Sequence, residues 1–152
     1  MAATARKDLE VLAQAQQSLG PGYTPSDDEP YMNDSQQAYF KILLLEWKRS
    51  IHDAAGATLQ SLQDGPIREP DLNDRASSET DWGIELRTRD RQRKLIAKIE
   101  SALRRLDEGE YGYCEHTGDP INLRRLMARP TATLSLEAQE VHERKEKVYR
   151  EE

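Results

Sequence analysis

Four residues near the C-terminal end of the chain have the spacing of the ligands of a structural zinc site. They are Cys114 and Thr117, followed 18 residues later by Ser135 and Ala138. Two Cys-x-x-Cys pairs at about this separation would supply the four thiolates of a closed tetrahedral site. Hydroxyl groups are poor zinc ligands and a methyl group is none. We therefore predict that this segment holds no zinc, that the chain has no intrinsic cofactor, and that packing replaces the metal.

Cys114 is the only cysteine in the chain. A single cysteine cannot form an intrachain disulfide, which agrees with a reducing compartment. Among its sequence neighbours only His116 would lower the pKa of the thiol, so we predict a small buried hydrophobic residue and not a reactive thiol. Four leucines, covered by the N-terminal helix, are expected to supply the packing: Leu123, Leu126, Leu134 and Leu136.

Composition limits the classes of function. Only 36% of the 152 residues are hydrophobic and one is phenylalanine, so the core is small and a compact enzyme is disfavoured. The sequence has no glycine-rich phosphate loop and no nucleophile paired with a base, and we predict that it is not an enzyme. The net charge of -6 argues against direct binding to DNA. Without a membrane-spanning apolar run or a signal peptide, the protein is expected to be cytoplasmic.

Helical periodicity organises the first half of the chain. Residues 4–19 carry apolar residues at helical spacing (Leu9, Leu12, Ala15 and Leu19) and end at a Gly-Pro-Gly turn. Asn33 and Gln36 have the spacing of a capping box and predict a helix to about Gln63. Its apolar residues recur at steps of three and four, typical of a coiled-coil seam. They are Phe40, Leu44, Trp47, Ile51, Ala54, Thr58 and Leu62.

A second long helix is predicted from about Asp74–Ser77 to Asp107. Its more apolar side carries Trp82, Leu86, Ile96, Ile99, Leu103 and Leu106. Two such helices joined by a short loop pack antiparallel, with an exposed acidic tip near residues 64–76. A last helix is expected from Ser135, which is placed to cap it, and its alternating Glu, Lys and Arg residues indicate a solvated face.

Four sequence motifs resemble the DksA/TraR family of bacterial transcription factors. They are Asp71-x-x-Asp74-x-Ala76, Glu85-Leu86-Arg87-x-Arg89-Asp90-Arg91, Tyr111-Gly112-Tyr113-Cys114-Glu115, and Arg124-Arg125-Leu126-x-Ala128-Arg129-Pro130-Thr131. The resemblance spans nearly the whole chain and is weakest before Tyr31 and after Gln139.

Together with the periodicity, the resemblance implies a mainly α fold. We expect a long antiparallel coiled-coil hairpin, a small zinc-ribbon-like globular domain and a C-terminal helix. The expected boundaries are an N-terminal helix and linker at 1–32, the hairpin at 33–108, the degenerate zinc-finger-like region at 109–134, and the last helix at 135–152.

The resemblance also implies a function. Such proteins insert the coiled coil into the secondary channel of RNA polymerase and place the tip, here Asp71, Asp74 and Ala76, beside the active centre. They inhibit promoters of the ribosomal RNA type and stimulate others during the stringent response, without binding DNA. A single chain that threads a narrow pore is expected to be a monomer.

The family also forms part of a binding site for the alarmone ppGpp at the polymerase rim. By resemblance, Arg91, Leu95, Lys98 and Arg129 belong to this site. Gln139 stands where the family has a further lysine. Because each hydrogen bond to a charged group contributes roughly 1.5–3 kcal/mol before screening, loss of this cation predicts weaker alarmone binding.

Two alternatives fit the same helical hairpin. In a Gre-like transcript cleavage factor, Asp71 and Asp74 would hold a second magnesium ion and activate water. That family, however, has its hairpin at the N-terminus and a different globular domain. The residues alone, without the resemblance, favour a coiled-coil scaffold or chaperone.

Overall fold

The computed structural model of the protein describes residues 2–64 and 72–151, with the side chains of 58, 61, 62 and 72–79 left aside. This part of the chain forms five helices: α1 (Ala2–Ser18), α2 (Asp34–Asp64), α3 (Leu72–Glu108), α4 (Leu123–Ala128) and α5 (Leu136–Glu151). Among the described residues the β structure is limited to one bridge between Tyr113 and Pro120, and no helix is long and apolar enough to span a membrane. The prediction of a mainly α fold is confirmed.

The chain divides into two compact units. The first contains Met1–Leu45 and Ser101–Glu152, and the second contains Glu46–Glu100. Both α2 and α3 therefore contribute to each unit.

The start of α2 shows the predicted capping interaction with one change. Asn33 Oδ1 accepts a hydrogen bond from the Gln36 backbone N–H at 2.8 Å. The Gln36 side chain returns to the N–H of Met32, at 2.8 Å, because the Asn33 N–H already donates to the Pro30 carbonyl. Gln36 is fully buried, so the polar start of α2 is part of the core of the first unit.

The core of the first unit combines α1, the start of α2 up to Leu45, the end of α3 from Ser101, and the segment after α3. Phe40 and Tyr111 lie with ring centroids 5.5 Å apart, and the Tyr111 hydroxyl donates to the Pro130 carbonyl at 2.7 Å. Of the predicted α1 stripe, Leu12 and Ala15 are buried, whereas Leu9 is exposed. The remaining buried hydrophobic residues of this unit are Met32, Leu44, Leu45, Ala102, Leu106, Cys114, Ile121, Leu123, Leu126 and Ala132.

Tyr31, in the linker after α1, forms hydrogen bonds with the segment between α3 and α4. Its Oη lies 2.6 Å from the carbonyl oxygens of both Gly112 and Ile121, and its single proton can be donated to one of them at a time. Gly112 has a φ of 90°, and a Cβ at this position would lie 2.8 Å from Tyr31 Oη. The close approach therefore requires glycine at position 112.

In the second unit the seam between the helices differs from the predicted one. On α2, Lys48 and Ile51 are buried and Ala55 is half-buried, whereas Ala54 is exposed and Trp47 is half-buried. Lys48 reaches Glu100 of α3, with Nζ 3.4 Å from Oε1. The predicted seam residues Thr58 and Leu62 lie outside the described side chains.

The inward positions of α3 follow a coiled-coil repeat with steps of three and four. In the second unit they are Glu85, Thr88, Gln92, Leu95 and Ile99. Trp82 and Leu86, which were predicted on the more apolar side of α3, are 37% and 40% exposed and do not lie at these inward positions. Apolar spacing identifies a helix, but the helix it packs against decides which side is turned inward.

The α5 helix has no buried residue over Leu136–Glu151. Its polar side chains pair along the helix: His142 Nε2 lies 3.3 Å from Glu146 Oε1, and Arg144 lies 3.9 Å from Glu140. The predicted solvated face is confirmed.

Candidate functional site

The four positions of the lost zinc site remain organised around the Cys114 thiol. Cys114 is only 3% exposed. The Thr117 hydroxyl and backbone N–H groups, among them that of Ser135, favour the thiolate form of this side chain. Ser135 Oγ accepts a hydrogen bond from the Ala138 N–H at 3.3 Å and caps α5 as predicted. Groups from both halves of the segment thus influence the same thiol.

These groups change the acidity of the thiol. Burial raises the pKa of Cys114, but donation from the Thr117 hydroxyl and from the N–H groups of Ser135, Thr117 and His116 outweighs it and lowers the pKa to about 6. The sequence-based prediction of burial is confirmed, whereas the prediction that only His116 could lower the pKa is wrong. The signal for the missed contact was Thr117 itself, because a hydroxyl at the second ligand position points to the same centre as the first.

The backbone around the thiol forms a tight turn. The Cys114 N–H donates to the Asp119 carbonyl at 2.8 Å, and the Gly118 N–H donates to the Cys114 carbonyl at 2.8 Å. The next residue, Glu115, donates to the Thr133 carbonyl at 2.9 Å. The turn is therefore fixed to the segment before α5 by a backbone hydrogen bond.

The predicted leucine packing is confirmed in part. Leu123 and Leu126 are buried on α4 and Leu134 is half-buried, whereas Leu136 is exposed on α5. Arg125 Nε donates to the Leu134 carbonyl at 2.9 Å and joins α4 to the segment before α5. Within the described part of the chain, no group of three or more His, Cys, Asp or Glu side chains is arranged to hold a metal ion.

The predicted tip residues fall at the edge of what the structure describes. Asp71 lies outside the described residues. Asp74 and Ala76 belong to α3, but their side chains lie outside the description. The helix begins at Leu72, slightly earlier than predicted, so the backbone of Asp74 lies in its first turn. The role of the tip stays a prediction.

The five predicted alarmone residues are divided between the two units. Arg91 and Lys98 are exposed on α3 and Leu95 is half-buried beside them in the second unit. Arg129 is exposed and Gln139 is half-buried in the first unit. The Gln139 side chain donates to Glu143 Oε1 at 3.0 Å. The side chain at position 139 is thus an amide engaged with a carboxylate.

A strongly basic stretch of α3 surrounds Arg91 and Lys98. Residues 87–98 contain six cations and one carboxylate, Asp90, in a chain whose net charge is -6. Within the described part of the chain, the one ion pair in this stretch joins Arg93 to Asp90 at 3.2 Å. The stretch is therefore suited to an anionic ligand or an acidic surface.

Comparisons with known proteins match nearly the whole chain. Residues 36–106 match the family model described as "DnaK suppressor protein DksA, N-terminal domain". Residues 109–144 match the "Prokaryotic dksA/traR C4-type zinc finger". The second model describes four cysteines, of which this chain has Cys114 alone.

Curated relatives and a solved structure agree with these models. The "RNA polymerase-binding transcription factor DksA" of Caulobacter vibrioides is 61% identical over 129 residues, covering 85% of this chain and 91% of the relative. The protein of the same name from Escherichia coli is 42% identical over 125 residues, covering 82% and 83%. The structure of transcription factor DksA2 from Pseudomonas aeruginosa superposes with a TM-score of 0.72 at 40% identity, covering 91% of this chain and 97% of that chain.

Proposed function

Because this chain belongs to the DksA/TraR family, we propose that it is a transcription regulator that binds bacterial RNA polymerase directly. The observation that carries the proposal is the match of both family models in order, over residues 36–106 and 109–144. The relatives named as RNA polymerase-binding factors are covered almost end to end. The helical hairpin, the globular segment and α5 are all present on one chain.

The proposed mode of action places the hairpin in the secondary channel of the polymerase. The tip residues Asp71, Asp74 and Ala76 then lie beside the active centre, where carboxylates meet its basic and metal-bearing elements. Binding shifts the population of promoter complexes and carries out no chemistry of its own. Promoters of the ribosomal RNA type are inhibited because their complexes are short-lived, and other promoters are stimulated.

The alarmone ppGpp is proposed as co-regulator at the polymerase rim. Arg91, Lys98 and Arg129 are exposed cations suited to its phosphates, and Leu95 lies between the first two along α3. Gln139 supplies no charge and its amide already donates to Glu143. The response to ppGpp is therefore weaker than in a relative with lysine at this position.

Zinc independence is the remaining part of the proposal. The hydrogen bonds from Glu115 to Thr133 and from Arg125 to Leu134, together with buried Leu123 and Leu126, support a segment that is held together by packing and hydrogen bonds. The protein acts as a monomer in the cytoplasm, and regulation continues when zinc is scarce.

Transcription in vitro from a ribosomal RNA promoter tests the proposal directly. Purified protein freed of metal by a chelator is added to bacterial RNA polymerase with and without ppGpp. Inhibition that deepens with the alarmone is expected. A folded protein without effect on transcription would refute the proposed function, and stimulated cleavage in backtracked complexes would assign it to the Gre-like class.

A further inference from the structure

One stretch of α3 in the second unit has its polarity reversed. Trp82, Ile84 and Leu86 are 37%, 49% and 40% exposed. The inward positions of the same stretch are occupied by Glu85, together with Thr88 and Gln92. A helix that packs along one seam normally places its apolar residues inside and its polar residues outside.

The reversed arrangement leaves polar atoms buried without compensation. Glu85 Oε2 and Gln92 Oε1 are buried and have no hydrogen-bond partner in the structure. Such atoms lose their hydration without a replacement and destabilise the fold. The hairpin by itself therefore gains little from this sequence, and the exposed apolar residues need another explanation.

The exposed residues form a defined face. Trp82 and Leu86 are one helical turn apart, and Arg89 and Arg93 continue the same line at steps of three and four. We call these four residues the outward face of α3. Ile84 lies about 200° from Trp82 around the helix axis, at ~100° per residue, and does not belong to this face.

We propose that the outward face of α3 is a docking surface for RNA polymerase. Trp82 and Leu86 fill an apolar pocket on the polymerase, and carboxylates at the border of that pocket pair with Arg89 and Arg93. This inference rests on the proposed function, which supplies the partner, and adds a surface separate from the tip and the alarmone residues. Aromatic side chains with neighbouring arginines are the residue types that dominate binding energy at protein interfaces.

Charge argues against a second copy of this chain as the occupant. The outward face carries two cations, Arg89 and Arg93, and the second of them pairs with Asp90 at 3.2 Å. Two such faces packed against each other would bring arginines next to arginines, which is repulsive. The partner surface must therefore be acidic around an apolar centre, and the relatives that match this chain are named as polymerase-binding proteins.

Binding of fluorescently labelled protein to bacterial RNA polymerase tests the surface. The variants Trp82→Ala and Leu86→Ala are expected to bind at least about tenfold more weakly, as for residues at the centre of an interface. Ile84→Ala is the matched control, because it removes a similarly exposed apolar side chain from another face of the same helix, and its affinity should stay within about twofold of wild type. Arg89→Glu should weaken binding and reduce its dependence on salt concentration.

The outcomes separate this inference from the proposed function. Wild-type protein that fails to bind polymerase would overturn both. Wild-type protein that binds, with Trp82→Ala and Leu86→Ala binding equally well, would overturn the docking surface alone. The surface would also be overturned if Trp82→Ala lowered the thermal midpoint of unfolding more than Ile84→Ala, since Trp82 would then belong to the core. If Trp82→Ala and Leu86→Ala bound polymerase normally but lost self-association or binding to vesicles of anionic phospholipid, the outward face would belong to that other partner and the proposal would be wrong.

Discussion

Replacing Thr117 by valine removes the hydroxyl group that donates to the Cys114 thiol and keeps the size of the side chain. A hydrogen bond to a charged group contributes about 1.5–3 kcal/mol, which corresponds to about one to two pKa units. We therefore expect Thr117→Val to raise the pKa of Cys114 from about 6 to between about 7 and 8. At neutral pH, the thiol would change from mainly ionised to substantially protonated.

The lowered pKa also makes the stability of the fold depend on pH. The ordinary pKa of the thiol is 9.0, and the folded protein lowers it to about 6. Because the folded value is the lower one, the thiolate contributes stability that is fully present above pH 9 and is lost as the pH falls through 6. At pH 7 this contribution is on the order of 1 kcal/mol, and Thr117→Val should remove most of it.

Two measurements check this prediction. Ultraviolet absorbance of the thiolate gives its pKa directly, because Cys114 is the only cysteine. Urea unfolding at several pH values gives the stability. Thr117→Ser keeps the hydroxyl and should behave like wild type, and Cys114→Ala should remove this part of the pH dependence. An unchanged Cys114 pKa in Thr117→Val would refute the role of the hydroxyl group.

Three further predictions concern the backbone, the tip and the alarmone site. Gly112→Ala places a Cβ 2.8 Å from the Tyr31 hydroxyl oxygen, at a φ of 90°. Urea unfolding should show that it lowers the free energy of unfolding by about 1–3 kcal/mol more than the control Gly118→Ala does. Gly118 also has a positive φ, but a Cβ there would meet no atom within 4 Å. Asp74→Asn should leave polymerase affinity unchanged and abolish the effect on transcription, and a variant that still regulates would remove Asp74 from the mechanism. Lys98→Ala should sharply reduce the response to ppGpp, and Gln139→Lys should strengthen it. Titration of ppGpp in transcription reactions measures both responses. If neither variant differed from wild type, the assigned site would be contradicted.

Much of the fold could be predicted because its determinants are local. Helical periodicity and the capping pair Asn33 and Gln36 located α2 to within a residue at each end. The loss of zinc ligands was visible from residue type and spacing alone. The motifs also predicted the family, since four matched in order.

The errors occurred where a side chain's role depends on residues distant in the chain. Trp82 and Leu86 were predicted on the more apolar side of α3, yet both are exposed, and Glu85 and Gln92 occupy inward positions instead. Leu136 was assigned to the core and is exposed on α5. The spacing of apolar residues along a single helix does not determine which of them are buried.

The sequence by itself therefore determined the helices, the family and the absence of a complete four-cysteine set, because each depends on residue types at short range. Only the tertiary structure decided which face of α3 is turned inward, because the phase of a helix is set by the helix it packs against. It also decided the acidity of Cys114. Ser135, 21 positions away in the sequence, helps to lower the pKa of that thiol through its N–H group, an effect that depends on tertiary proximity and burial.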